Sequence, residues 1–129
     1  MIFIGADIHP YMEIKINGVW TFIDPVTGDR NYELFGFLSG VRGRDEPYHA
    51  FEHRSGRNPP EDASSMLKRY WTEDEYEHSH TVVYYDALKK FIEEYPEESS
   101  YTKDWLKMME FFGDEGIAQD ARVLLWYDN

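Results

Sequence analysis

Met12, Ile14 and Ile16 alternate with Glu13 and Lys15, a period of two that puts the apolar side chains on one face of an extended strand. Asn17-Gly18 follows, the pair that best tolerates the two positive-φ positions of a type I′ turn. Val19-Trp20-Thr21-Phe22-Ile23 then adds a run rich in β-branched and aromatic residues, so the segment predicts a β-hairpin. Asp24-Pro25-Val26-Thr27-Gly28-Asp29 reads as a turn-rich connection. After it, Leu34, Phe35, Leu38 and Val41 recur at helical spacing and predict a short helix from near Asn31 to Gly40 or Gly43.

Residues 42–62 carry Gly, Pro, Arg and His without a sustained period and predict a long loop. Ser64 or Ser65 is placed to cap a helix containing Leu67, Tyr70, Trp71 and Tyr76. His78-Ser79-His80 falls in a gap before another helix, capped by Thr81, whose Val83, Ala87, Leu88, Phe91, Ile92 and Tyr95 form one stripe that Pro96 ends. Thr102 caps a further helix with Trp105, Met108, Met109 and Phe112 on its buried side and Gly113 at its C-terminal cap. Arg122 to Asn129 reads as a strand. The fold class expected is α+β in a single domain over residues 1–129: a small antiparallel sheet, made of the N-terminal hairpin and the C-terminal strand, packed with about four helices.

Composition narrows the chemistry. At 129 residues, 42% hydrophobic and 17% aromatic, the chain can bury a core without disulfides. It has no cysteine, which excludes disulfide scaffolds, thiol catalysis and cysteine-based zinc sites, so a transition metal would need His, Asp or Glu. No run reaches the roughly 18 apolar residues of a membrane span, and the opening Met-Ile-Phe-Ile-Gly has no basic leader; a cytoplasmic protein with no membrane partner is expected. The net charge of −12 is uneven: residues 1–60 hold 8 acidic and 6 basic side chains, residues 61–129 hold 17 and 7. Such a surface repels phosphates and attracts basic proteins, and no helix carries the basic face that direct nucleic-acid binding needs.

Two short motifs carry candidate metal ligands. In Asp7-Ile8-His9 and His78-Ser79-His80 the outer residues are two apart, which on an extended backbone aims both at one side. Asp7, His9, His78 and His80 would then supply a divalent transition metal, zinc foremost, with Glu13 or Asp128 as a further ligand or as acceptor for an imidazole N–H. A carboxylate also orients a nearby histidine with no metal present. His49 and His53 are four apart but lie in loop-like sequence. Arg30-Asn31-Tyr32 combines a helix cap with a cation able either to pair with an acid or to grip an anion.

Gly5-Ala6-Asp7-Ile8-His9 with Glu13, Arg30-Asn31-Tyr32-Glu33-Leu34-Phe35, Pro60-Glu61-Asp62-Ala63-Ser64, His78-Ser79-His80-Thr81 and Trp126-Tyr127-Asp128-Asn129 resemble a family of small uncharacterised phage and bacterial proteins over nearly the whole chain. The chain departs from that pattern after Thr81, where Val82-Val83 stand in place of a Trp-Leu pair. The resemblance implies a phage or prophage origin and brings no activity. By class, a small acidic cysteine-free protein with a candidate metal site also resembles a metal-containing anti-CRISPR protein that blocks a type II effector nuclease. That likeness implies a structural metal, an acidic binding face such as Glu93-Glu94 with Glu97-Glu98, and a host protein as partner. The alternative is a small metal-dependent hydrolase, phosphoesterase-like, for which Asp7-Ile8-His9, Gly28-Asp29 and His78-Ser79-His80 are the fragments and an Asn-His step is missing.

Overall fold

The computed structural model describes residues 7–25, 48–54, 58–73, 78–98 and 101–128. The alternation from Met12 to Ile16 is the end of a longer strand, β1 (Asp7–Ile16), which turns through Asn17 (φ 51°) and Gly18 (φ 78°) into β2 (Val19–Pro25). Both turn residues adopt the left-handed conformation that Asn-Gly accommodates at little cost. The hairpin register runs from Ile16↔Val19 and shifts between Met12 and Glu13. On its other edge β1 pairs without a shift with β5 (Asp120–Asp128), from Lys15↔Asp120 to Asp7↔Asp128.

Two more strands complete an antiparallel sheet of order β2-β1-β5-β4-β3: β3 (Glu52–His53) and β4 (His78–Tyr84). β4 corrects the expectation of a gap followed by a helix capped at Thr81. Thr81 is fully buried opposite Leu125, and the helix begins only at Tyr85. The run Thr81-Val82-Val83-Tyr84 is β-branched and aromatic, and pairing with β5 decides its conformation. β3 lies within the segment expected to be loop.

Three α-helices are described, against about four expected: α1 (Ser65–Trp71), α2 (Tyr85–Glu94) and α3 (Thr102–Asp114). The helix expected from Asn31 lies outside the described residues, as does Tyr76. Ser64 caps α1 as predicted, its hydroxyl accepting the Leu67 N–H at 3.2 Å. Thr102 is the buried first residue of α3, and the cap position belongs to Tyr101. The C-terminal cap of α3 is Glu115, and the left-handed glycine that follows it is Gly116 (φ 72°) rather than Gly113; Gly116 N–H bonds the Gly113 carbonyl and Ile117 N–H the Phe112 carbonyl, both at 3.0 Å. This is the Schellman arrangement, which satisfies carbonyls that the helix end would leave open.

The helices pack on both faces of the sheet. On one, α2 and α3 bring Leu88, Phe91, Trp105 and Met109 against Met12, Ile14, Val83, Val123 and Leu125. On the other, α1 brings Leu67 and Trp71 against Val82, Leu124 and Trp126. β5 therefore has a strand on each edge and apolar side chains on each face, and Ala121 to Tyr127 are buried without interruption. That accounts for its near-continuous apolar reading.

Candidate functional site at one end of the sheet

The strand order brings the start of β1, the end of β5 and the start of β4 together. Asp7 lies opposite Asp128, His9 opposite Trp126, and His78 opposite Tyr127. Directly opposed residues share a face, so Asp7, His9, Trp126 and Asp128 occupy positions on the α1 side. Of Asp7 and Asp128 only the backbone is described.

His78 and His80 do not share a face. Ser79 between them has φ 59°, and the register with β5 shifts between His78 and Thr81. A bulge of this kind breaks the period of two and re-aims the side chains around it. His80 is buried on the α1 side, stacked on Trp126 at 5.4 Å between ring centroids and tilted against Trp71 at 4.6 Å. His78 is half-buried on the opposite side, stacked on Tyr127 at 6.3 Å, with its Nδ1 2.9 Å from Ser79 Oγ. His9 and His80 flank β5 on one face, with backbones two strand spacings, roughly 10 Å, apart and the Trp126 position between them.

Glu13 is remote from this end, six residues or about 20 Å along an extended strand from Asp7. It is fully buried, and its Oε1 accepts from Arg122 Nη2 at 2.7 Å and Nε at 3.0 Å. Its Oε2 accepts the backbone N–H of Ser64 at 2.8 Å, tying the start of α1 to the sheet. Arg122 is also fully buried; it donates to Asp62 and to the Tyr84 hydroxyl, both at 3.1 Å, and lies 4.0 Å from the centre of the Trp20 ring. Burial alone would lower the Arg122 pKa; the hydrogen-bonded Glu13 carboxylate reverses that and holds it above the ordinary value. Glu13 thus serves an ion pair. Among the described residues, no three His, Asp or Glu side chains come together as a metal-holding group.

A second polar feature opens where the start of α2, the end of α3 and the start of β5 meet. A cavity of about 430 Å³ is lined by Tyr85, Met109, Ala118 and Ala121 and by the carboxylate residues Asp86, Glu110, Asp114 and Asp120. Met109 and Ala121 are buried, whereas Asp86, Asp114 and Asp120 are exposed. The Tyr85 hydroxyl donates to Glu110 Oε2 at 3.2 Å, and its pKa is raised first by burial and then by that carboxylate.

Sequence reasoning singled out neither Arg122 as a partner of Glu13 nor these four acids as a group. The pair had a signal: Glu13 stands between apolar neighbours in Tyr11-Met12-Glu13-Ile14, and Arg122 is the one charge in the apolar run from Ala121 to Tyr127. The acids come from three separated stretches, and only the fold collects them. No family model matches the chain, and no curated protein or solved structure is significantly similar to it.

Proposed function

We propose that this protein acts by binding, as an acidic phage-type domain whose helical side engages a basic surface of a host protein. Its most concrete form is inhibition of a type II CRISPR effector nuclease, whose nucleic-acid channel is a basic surface of this kind. One observation supports the reading above others. α2 and α3 pack on the same face of the sheet, and residues 85–115 hold nine acidic side chains against four lysines. Asp86, Glu93, Glu94, Glu97, Asp104, Asp114 and Glu115 are all exposed. A concentrated negative field steers association with a basic partner and is sensitive to salt.

The test is DNA cleavage by a purified type II effector nuclease in the presence of the protein. Wild type is expected to slow cleavage at a small molar excess, and Glu93→Lys with Glu94→Lys and Glu97→Lys to relieve the inhibition while the fold persists. Cleavage that proceeds unchanged at tenfold excess would sink this form of the proposal.

The second reading places a divalent cation, zinc foremost, at the sheet end; it would be structural, or in a hydrolase would activate water. The register of Asp7 opposite Asp128, with His9 two residues on, favours it. Elemental mass spectrometry of tag-free wild type and His9→Ala decides: near-stoichiometric metal lost in the variant supports the site, and metal-free wild type removes it.

A further inference from the structure

We propose that the cavity between α2, α3 and β5 is a docking pocket for an arginine side chain of a partner protein; this rests on the binding reading above and assigns it a specific place. The cavity is two-sided in character. Tyr85 and Ala118, both half-buried, offer ring and methyl surface above the buried Met109 and Ala121, and Asp86, Glu110, Asp114 and Asp120 offer carboxylates. A side chain with an apolar stem and a cationic head matches both at once, stem along Tyr85 and Ala118 and head among the acids. Arginine fits better than lysine, because its planar guanidinium bonds carboxylates in pairs and stacks on an aromatic ring such as that of Tyr85. At about 430 Å³ the space also holds the backbone that carries such a residue.

The surroundings suit a protein partner. Phe111 precedes Asp114 by three residues on α3, so the two share one side of the helix, and it is 57% exposed; Ile117, beside the lining residue Ala118, is 44% exposed. Exposed apolar side chains give a partner surface to bury, and the charge of the recess beside them selects a basic segment to cover it. The α3 C-terminus carries Asp114 and no basic residue in its last turn, so its dipole leaves uncompensated negative potential there, which a bound cation would neutralise. The chain's own Lys89, one turn along α2 from Tyr85, is exposed and acts on the Tyr85 hydroxyl only through its field.

The test is a ¹⁵N NMR titration of the intact protein with acetyl-Gly-Arg-Gly-amide and with the same tripeptide carrying neutral citrulline. The expected result is saturable shifts at residues 85–86, 110–114 and 118–121 for arginine and none for citrulline. Asp114→Asn with Asp120→Asn should weaken binding at least fivefold, whereas Glu61→Gln with Glu73→Gln, exposed beside α1 on the other face of the sheet, should leave it unchanged. Equal response to citrulline, shifts spread over every acidic surface, or no saturable shift overturns the pocket. Saturable binding here without nuclease inhibition would remove only the nuclease; inhibition that survives in the Asp114/Asp120 variant would remove only the pocket.

Discussion

Arg122 and Glu13, 109 residues apart in sequence, form a two-bond ion pair with both side chains fully withdrawn from water. Arg122 also lies against the adjacent Trp20 and Tyr84 rings, 4.0 and 5.7 Å from their centres, so the cation meets a carboxylate, a hydroxyl and aromatic rings. An isolated buried charge is costly, and removing one partner should destabilise the fold by about 3–5 kcal/mol. Glu13→Ala is therefore expected to lower the urea midpoint sharply. The double change Glu13→Leu with Arg122→Met, which removes both charges, should recover most of the loss. Asp62, 62% exposed, pairs with the same arginine, and Asp62→Asn should cost less than about 1 kcal/mol. Equal losses for Glu13→Ala and the double variant would show that packing, not charge burial, sets the cost.

Ser79 holds the left-handed conformation that separates His78 from His80. A β-branched residue is strained there, so Ser79→Val should destabilise by about 1–3 kcal/mol, whereas Ser79→Gly should stay within about 1 kcal/mol of wild type. Thermal melts compare the two. A Val variant as stable as the Gly variant would mean the bulge relaxes without cost.

Asp114 at the α3 C-terminus opposes the helix dipole. Asp114→Lys is expected to stabilise the domain by about 0.3–1 kcal/mol while abolishing capture of the arginine tripeptide. A gain in melting temperature with loss of binding is the signature of a residue kept for recognition. Loss of both would assign Asp114 to the fold.

Burial, and then the neighbouring Glu94 carboxylate, push the Tyr48 hydroxyl up to about 12. A tyrosine whose folded pKa is raised contributes stability that is complete below its unfolded pKa near 10 and is lost as pH rises through about 12. Tyr48→Phe should therefore flatten the fall in stability between pH 10 and 12 relative to wild type. Tyr127, whose hydroxyl is also raised by burial, leaves part of that fall in the variant. Parallel curves for the two proteins would remove Tyr48 as a contributor.

Much of the fold is legible in local pattern because local pattern causes it. Asn17-Gly18 dictates the hairpin turn, Ser64 caps α1, and the apolar run to Trp126 announces a strand. β4 was illegible for a physical reason: Val83 fits the helical stripe that continues into α2, and only pairing with β5 makes it a strand residue. The site was harder. Two-residue spacing holds where a strand is regular, but the rule fails at His78 and His80, because a serine in the left-handed region leaves no trace in hydrophobic periodicity. The Glu13–Arg122 pair and the acidic cavity are long-range products of sheet order, which a single strand's pattern does not encode.

The place of β5 in the centre of the sheet also sets a timetable. β1 can zip onto β2 within microseconds of leaving the ribosome, but its other edge must wait for residues 120–128, at ordinary synthesis rates a delay on the order of 10 s. Through that interval the hairpin presents an open edge, and Glu13 waits in water for an arginine not yet made. Assembly of the described sheet is thus coupled to the arrival of β5. A nascent chain stalled before Asp120 should remain protease-sensitive in β1 and β2, and one in which residues 120–128 have emerged should close the sheet in a single cooperative step.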